Sequence, residues 1–195
     1  MKKYDVKQVA GVLRVLVTIT FVCNLLALIM VPGMAMMRDG RELVDGVVYF
    51  RLNGENVGQI LLRLVGFAIA AWSEIWMFGT NYAQVLAIFL FFCGCCTAVI
   101  LWQARRVLDT ILAGAPFSFA NAANMTRAAG CCLLISLAAL ARLIWGFTTY
   151  HSIRPLLTYN ALFIPVFAMG FLLCMVMSAL FRQAAELKAE NDLTI

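Results

Sequence analysis

The sequence predicts an all-α membrane protein, a bundle of four transmembrane helices with a small outer segment between spans one and two. Three observations predict it. Of the 195 residues, 64% are hydrophobic and only 13% are charged, against roughly 45–50% and about 25% in a soluble domain. A water-soluble fold of this length could not hide that much apolar surface, so the solvent is lipid. Four stretches approach or exceed the roughly 20 apolar residues that cross a hydrocarbon core about 30 Å thick. Finally, the fifteen Lys and Arg residues distribute unevenly about those stretches, as the positive-inside rule requires.

The spans are residues 11–31, 82–102, 128–149 and 158–181, within one membrane domain covering 1–195. The first resembles a signal peptide in its basic start. Its apolar run from Val15 to Val31 exceeds the roughly 7–15 residues of a signal core, and "PGMAMM" is a poor cleavage site, so it reads as an uncleaved span. The second span carries no charge. The third carries Arg142 and the fourth carries Pro165, a kink that a helix bundle tolerates.

Residues 58–78, "GQILLRLVGFAIAAWSEIWMF", tempt a fifth span but contain Arg63 and Glu74. With four spans and both termini cytoplasmic, Lys2, Lys3, Lys7, Arg14, Arg105, Arg106, Arg127, Arg182 and Lys188 lie inside. Arg38, Arg41, Arg51, Arg63 and Arg154 lie outside. A fifth span would place Arg105 and Arg106 outside, against the rule. Residues 58–78 are therefore expected as a helix at the outer interface or leaning on the bundle. The outer segment, 32–81, also holds "VVYFRL" and a tight-turn signal at Asn53-Gly54, which together predict a small β-hairpin.

A cytoplasmic elbow, 103–127, joins spans two and three. Val107, Leu108, Ile111 and Leu112 share a helical stripe, so span two should continue past the bilayer. Gly114 and Pro116 stop it, and Ser118 is a natural N-cap for the next helix. The tail, 182–195, is polar but built of good helix formers. A segment so short is marginal alone in water, so it must continue span four or dock on a surface.

The elbow "GAPFSFANAANMTRAAG" and the tail "AAELKAENDLTI", set among four spans at this spacing, resemble a bacterial membrane family known as domain of unknown function 2975. Members tend to carry a G-x-P-F-[ST]-x-E-N elbow and an L-x-x-E-N-D-L-T-[IV] tail. Gly114, Pro116, Phe117, Ser118 and Asn121 match the first pattern, but Ala120 stands where the acid is expected, which speaks against carboxylate chemistry there. The resemblance implies a protein of the bacterial cytoplasmic membrane that works beside a small helix-turn-helix regulator.

Two readings of the tail stay open. It is a solvated helix end anchoring span four, or a docking peptide in which Glu186, Glu190, Asn191 and Asp192 face a basic partner while Leu193 and Ile195 supply apolar anchors. Arg142 is the deepest charge, roughly 12 Å in when counted eight residues on to Tyr150 at 1.5 Å per residue. It either snorkels or pairs structurally, or it marks a ligand or ion pathway, with Glu74, Asn24 and Asn160 as candidate partners. Gly170, Cys174 and Ser178, spaced by four, should form a close-packing stripe, with Cys23 and Ala27 in a similar role on span one.

The seven cysteines, among them Cys93, Cys95, Cys96, Cys131 and Cys132, lie in apolar runs and read as packing residues. They lack C-x-x-C ligand spacing, and no metal or cofactor is assigned. His151, the single histidine, reads as a loop residue. No convergent acids, histidines or cysteines mark a catalytic site.

The leading expectation is a non-enzymatic regulatory or sensor component that docks a cytoplasmic partner through tail and elbow. It is not expected to bind nucleic acid directly, and a homo-oligomer is compatible with the sequence. The alternative is a small transporter, channel or immunity-type protein, for which Arg142, Asn24, Asn160 and Pro165 are a meagre polar set.

Overall fold

A computed structural model of the chain describes residues 6–36, 57–151, 156 and 158–193. Among these, five α-helices and no strand form: α1 Val6–Met36, α2 Val57–Phe78, α3 Asn81–Leu112, α4 Phe119–Tyr150 and α5 Tyr159–Leu193. The expected hairpin around Asn53-Gly54 lies outside the described residues.

Four helices are long and apolar enough to cross a membrane, over Lys7–Val31, Asn81–Leu112, Phe119–Thr149 and Tyr159–Asn191. Length and composition thus make this a multi-pass membrane protein. The helices α3, α4 and α5 have 32, 32 and 35 residues, or roughly 50 Å each at 1.5 Å per residue. That exceeds a hydrocarbon core of about 30 Å, so each projects beyond it. Hydropathy falls where polar residues begin, but the backbone hydrogen bonds continue. The tail is accordingly no separate segment, because α5 runs unbroken through Arg182 to Leu193.

The chain divides into two compact units, one of residues 1–24 and 95–195, the other of residues 25–94. In the first, α4 and α5 pack against each other in antiparallel sense. Thr126 meets Ser178 (Oγ1 to Oγ, 2.9 Å), Ser136 Oγ donates to the Ile164 carbonyl (3.0 Å), and Asn160 Nδ2 donates to the Ala139 carbonyl (3.2 Å). The α4 face holding these contacts is a run of small buried side chains, Ala122, Ala129, Cys132, Ser136 and Ala139. Their spacing of three to seven residues keeps them on one stripe, and small residues let the two backbones approach. In lipid the contact relies on packing and hydrogen bonds, since hydrocarbon offers no hydrophobic drive between helices.

The same unit sets α1 antiparallel to α3. Arg14 Nε lies 2.6 Å from Asp109 Oδ1, and the rings of Phe21 and Trp102 sit 5.8 Å apart. Cys23 departs from expectation: it is exposed, because small-residue spacing also occurs on faces that meet lipid.

In the second unit, α2 and the first half of α3 form a helical hairpin around Gly79-Thr80. The Gly79 amide donates to Ile75 O at 3.0 Å, and Thr80 Oγ1 accepts from the Ala83 amide at 3.3 Å. Gln84 Nε2 reaches back to Ile75 O at 3.2 Å, and Trp72 stands edge-on to Phe91 at 5.7 Å. An apolar groove of about 270 Å³ is lined by Leu28 and Ile29 of α1, Val65, Ile69 and Trp72 of α2, and Phe91 of α3. Within this unit α2 thus leans on its neighbours. Ala27, expected to pack closely, is exposed. The close approach belongs instead to Gly94, where a Cβ would meet Leu28 Cδ2 at 2.7 Å.

Candidate functional site: the elbow and the tail

The elbow is a closed, hydrogen-bonded turn. Gly114, at φ +80°, ends α3 in the left-handed conformation that a residue without Cβ adopts freely. Its amide donates to Ile111 O at 3.1 Å, and the Ala115 amide donates to Thr110 O at 3.0 Å. This pair of bonds is the Schellman arrangement that satisfies the last carbonyls of a helix. Four residues on, Ser118 is extended (φ −143°, ψ 147°) and its hydroxyl accepts from the Asn121 amide, satisfying one of the orphan donors at the start of α4.

Asn121 locks the two helix ends together. It is fully buried, and its Nδ2 donates to Thr110 Oγ1 and to Pro116 O, both at 2.7 Å. Thr110 is itself fixed by donating to Val107 O at 2.7 Å. Behind this clamp sit buried Val107, Leu108, Ala122 and Gln103. On the surface, Phe117 and Phe119 flank the cap at 51% and 55% exposure. Ala120 is also exposed.

The tail leaves beside the elbow. Ser178 Oγ donates to Ala122 O at 2.8 Å, so the last stretch of α5 runs alongside the first turns of α4. Ala185, two turns past Ser178, is buried and ties the start of the tail to this unit. From Glu186 to Asn191 the helix is exposed. Glu186 pairs with Arg182 at 3.2 Å, Leu187 is 62% exposed, and Glu190 and Asn191 are exposed. Asp192 and Leu193 are helical, and Ile195 lies outside the described residues.

Asn160 engages Ala139 on the α4–α5 contact, Arg142 and Asn24 are half-buried, and Glu74 is exposed on α2. Of the residues spaced by four on α5, Ser178 is bonded as above, and a Cβ at Gly170 would touch Cys132 Sγ at 3.5 Å. Cys96 and Cys132 are buried, while Cys131 and Cys174 are half-buried. All seven thiols are free, and among the described residues no three His, Cys, Asp or Glu side chains converge on a metal position. His151, at φ 44°, closes α4 as its C-cap.

Three contributors escaped the sequence reading. Asp109 was signalled only as the sole acid of the elbow region. Thr110 stands four residues before the helix-stopping Gly114. Ser136 is a hydroxyl in the middle of an apolar span, a residue type that in lipid hydrogen-bonds across helices.

The model of a family described as a protein of unknown function, DUF2975, matches residues 67–195, a stretch that takes in the elbow and the tail. No curated protein and no solved structure matches the chain.

Proposed function

The chain belongs to the DUF2975 family, and we propose that it acts as a non-enzymatic regulatory component of the bacterial cytoplasmic membrane. In this reading both termini are cytoplasmic, and the elbow and tail together dock a small helix-turn-helix regulator. The protein binds its partner and leaves nucleic-acid contact to it.

The observation that carries the reading is the placement of the tail beside a rigid elbow through Ser178, Ala122 and Thr126. A hydrogen-bonded elbow is a preorganised surface, which lowers the ordering cost of binding. The adjoining helix exposes Leu187 between Glu186 and Glu190, a mixed apolar and acidic face suited to a basic partner. Transport has less support, because Ser136, Asn160 and Ser178 are committed to helix–helix hydrogen bonds.

The test compares tagged full-length protein with a truncation ending at Arg182, both purified in mild detergent, with co-eluting proteins identified by mass spectrometry. A small DNA-binding protein retained by the full chain and lost from the truncation is the expected result. If both forms elute alone while still folded, docking through the tail is refuted.

A further inference from the structure

We propose that Trp102, Arg105 and Arg106 form a headgroup site for an anionic phospholipid where α3 leaves the hydrocarbon core at its elbow end. The three residues are spaced i, i+3 and i+4, so they share one face of the helix. Trp102 follows a stretch from Tyr82 that carries no charge. It is 43% exposed, the position in which an indole marks the membrane–water boundary. Its ring rests on Phe21, and the Arg105 guanidinium lies 5.9 Å from the ring centroid, which restrains that fork at the boundary.

The local charge balance selects the partner. Asp109, one turn beyond Arg105, is already paired with Arg14 at 2.6 Å. Arg182 is paired with Glu186. Arg105 and Arg106 therefore have no carboxylate in ion-pair range among the described residues, and Arg106 is exposed. A guanidinium fork holds phosphate oxygens bidentately without losing charge, and consecutive residues on α3 set two such forks at nearly the same depth, about 1.5 Å apart along the helix axis. A zwitterionic headgroup carries its own compensating cation, so a net-negative headgroup is the better complement to this doubly positive edge.

A diffuse attraction of basic residues to anionic membranes predicts something different: any exposed Arg at this end would contribute equally. Arg127, exposed on α4, supplies the control. Full-length protein in mild detergent is heated with phosphatidylglycerol or phosphatidylcholine at equal concentration and salt, and bound lipid is read in parallel by native mass spectrometry. Wild type is expected to gain several degrees in Tm from phosphatidylglycerol over phosphatidylcholine and to retain that lipid. The R105Q/R106Q variant should lose the difference, R127Q should keep it, and inorganic phosphate alone should give no shift.

The proposal is overturned if wild type shows no preference, if R127Q loses as much as the double variant, or if free phosphate reproduces the effect. Should R105Q/R106Q fail to fold, R106Q alone decides, since that side chain is exposed. It is expected to weaken the preference at least twofold, and an unchanged preference overturns the site.

Discussion

Asn121 and Thr110 meet across the elbow, with Asn121 Nδ2 donating to Thr110 Oγ1 at 2.7 Å. The same nitrogen donates to Pro116 O, so one fully buried side chain ties the end of α3 to the start of α4. Removing it leaves two oxygens without their donor, at roughly 1–3 kcal/mol for buried groups. Asn121→Ala should lower stability by about that amount in detergent denaturation. Asn121→Asp should do no better, because a carboxylate cannot donate to either oxygen. A loss under about 0.5 kcal/mol would show that the elbow is held by its backbone bonds alone.

Gly170 and Cys132 define how closely α4 and α5 approach. A Cβ at Gly170 would sit 3.5 Å from Cys132 Sγ, ordinary contact distance, so Gly170→Ala should be tolerated. It could even stabilise α5 slightly, since Ala is the better helix former by roughly 0.8–1.0 kcal/mol. Gly170→Leu adds branched carbon where the neighbour is already in contact, and overpacking of that kind costs about 1–3 kcal/mol. The Tm order wild type close to Ala and well above Leu checks the packing. If Leu is as stable as Ala, the helices are not pressed together there.

How much of this was legible in the sequence depends on whether a feature is local to the chain. The elbow was, because Gly114, Pro116 and Ser118 act through their own backbone preferences. Asn121 was marked by the family pattern, but its bond to Thr110 was not, since it depends on the angle between two helices. On α5 the four-residue spacing identified Gly170 and Ser178. Their partners Cys132, Thr126 and Ala122 depend on the register between α4 and α5, which no single-helix pattern encodes. Cys23 and Ala27 show the reverse error: the same small residues stand on exposed faces, and composition does not distinguish a face that meets lipid from one that meets a helix.

At the α2–α3 turn, a Cβ on Gly79 would fall 2.3 Å from Ile75 O and 3.0 Å from Ile75 C. Both are backbone atoms and cannot swing aside, so any side chain forces the turn to open. The accompanying strain is of order 1–3 kcal/mol, and the Gly79 amide bond to Ile75 O is at risk with it. Gly79→Ala should therefore destabilise the hairpin, and hydrogen exchange should rise at the amides of residues 79–84. Unchanged exchange with unchanged Tm would mean the turn is looser than it stands here.

Arg182 and Glu186 pair at 3.2 Å with side chains 71% and 51% exposed. Exposed i,i+4 pairs contribute only about 0.3–0.5 kcal/mol. Glu186→Gln should thus leave Tm nearly unchanged while weakening retention of a cytoplasmic partner, if the acidic face of the tail is what docks. A large loss of stability would recast Glu186 as a structural residue and remove it from the docking surface.

His151 ends α4 at φ 44°, ψ 37°, its amide donating to Phe147 O. It is the one non-glycine residue with positive φ among the described residues. The left-handed conformation costs an L-residue roughly 1–2 kcal/mol because Cβ crowds the following carbonyl. Glycine avoids that crowding but has more backbone freedom to lose on folding, so the two effects partly offset. The net expectation for His151→Gly is a gain of up to about 1 kcal/mol, or roughly 2–4 °C in Tm for a chain of this size. His151→Val should move Tm the other way, since a β-branched side chain fits this conformation worst. Because both substitutions also remove the imidazole, opposite shifts would locate the effect in the backbone. Equal losses from both would show instead that the histidine side chain itself holds the end of the helix.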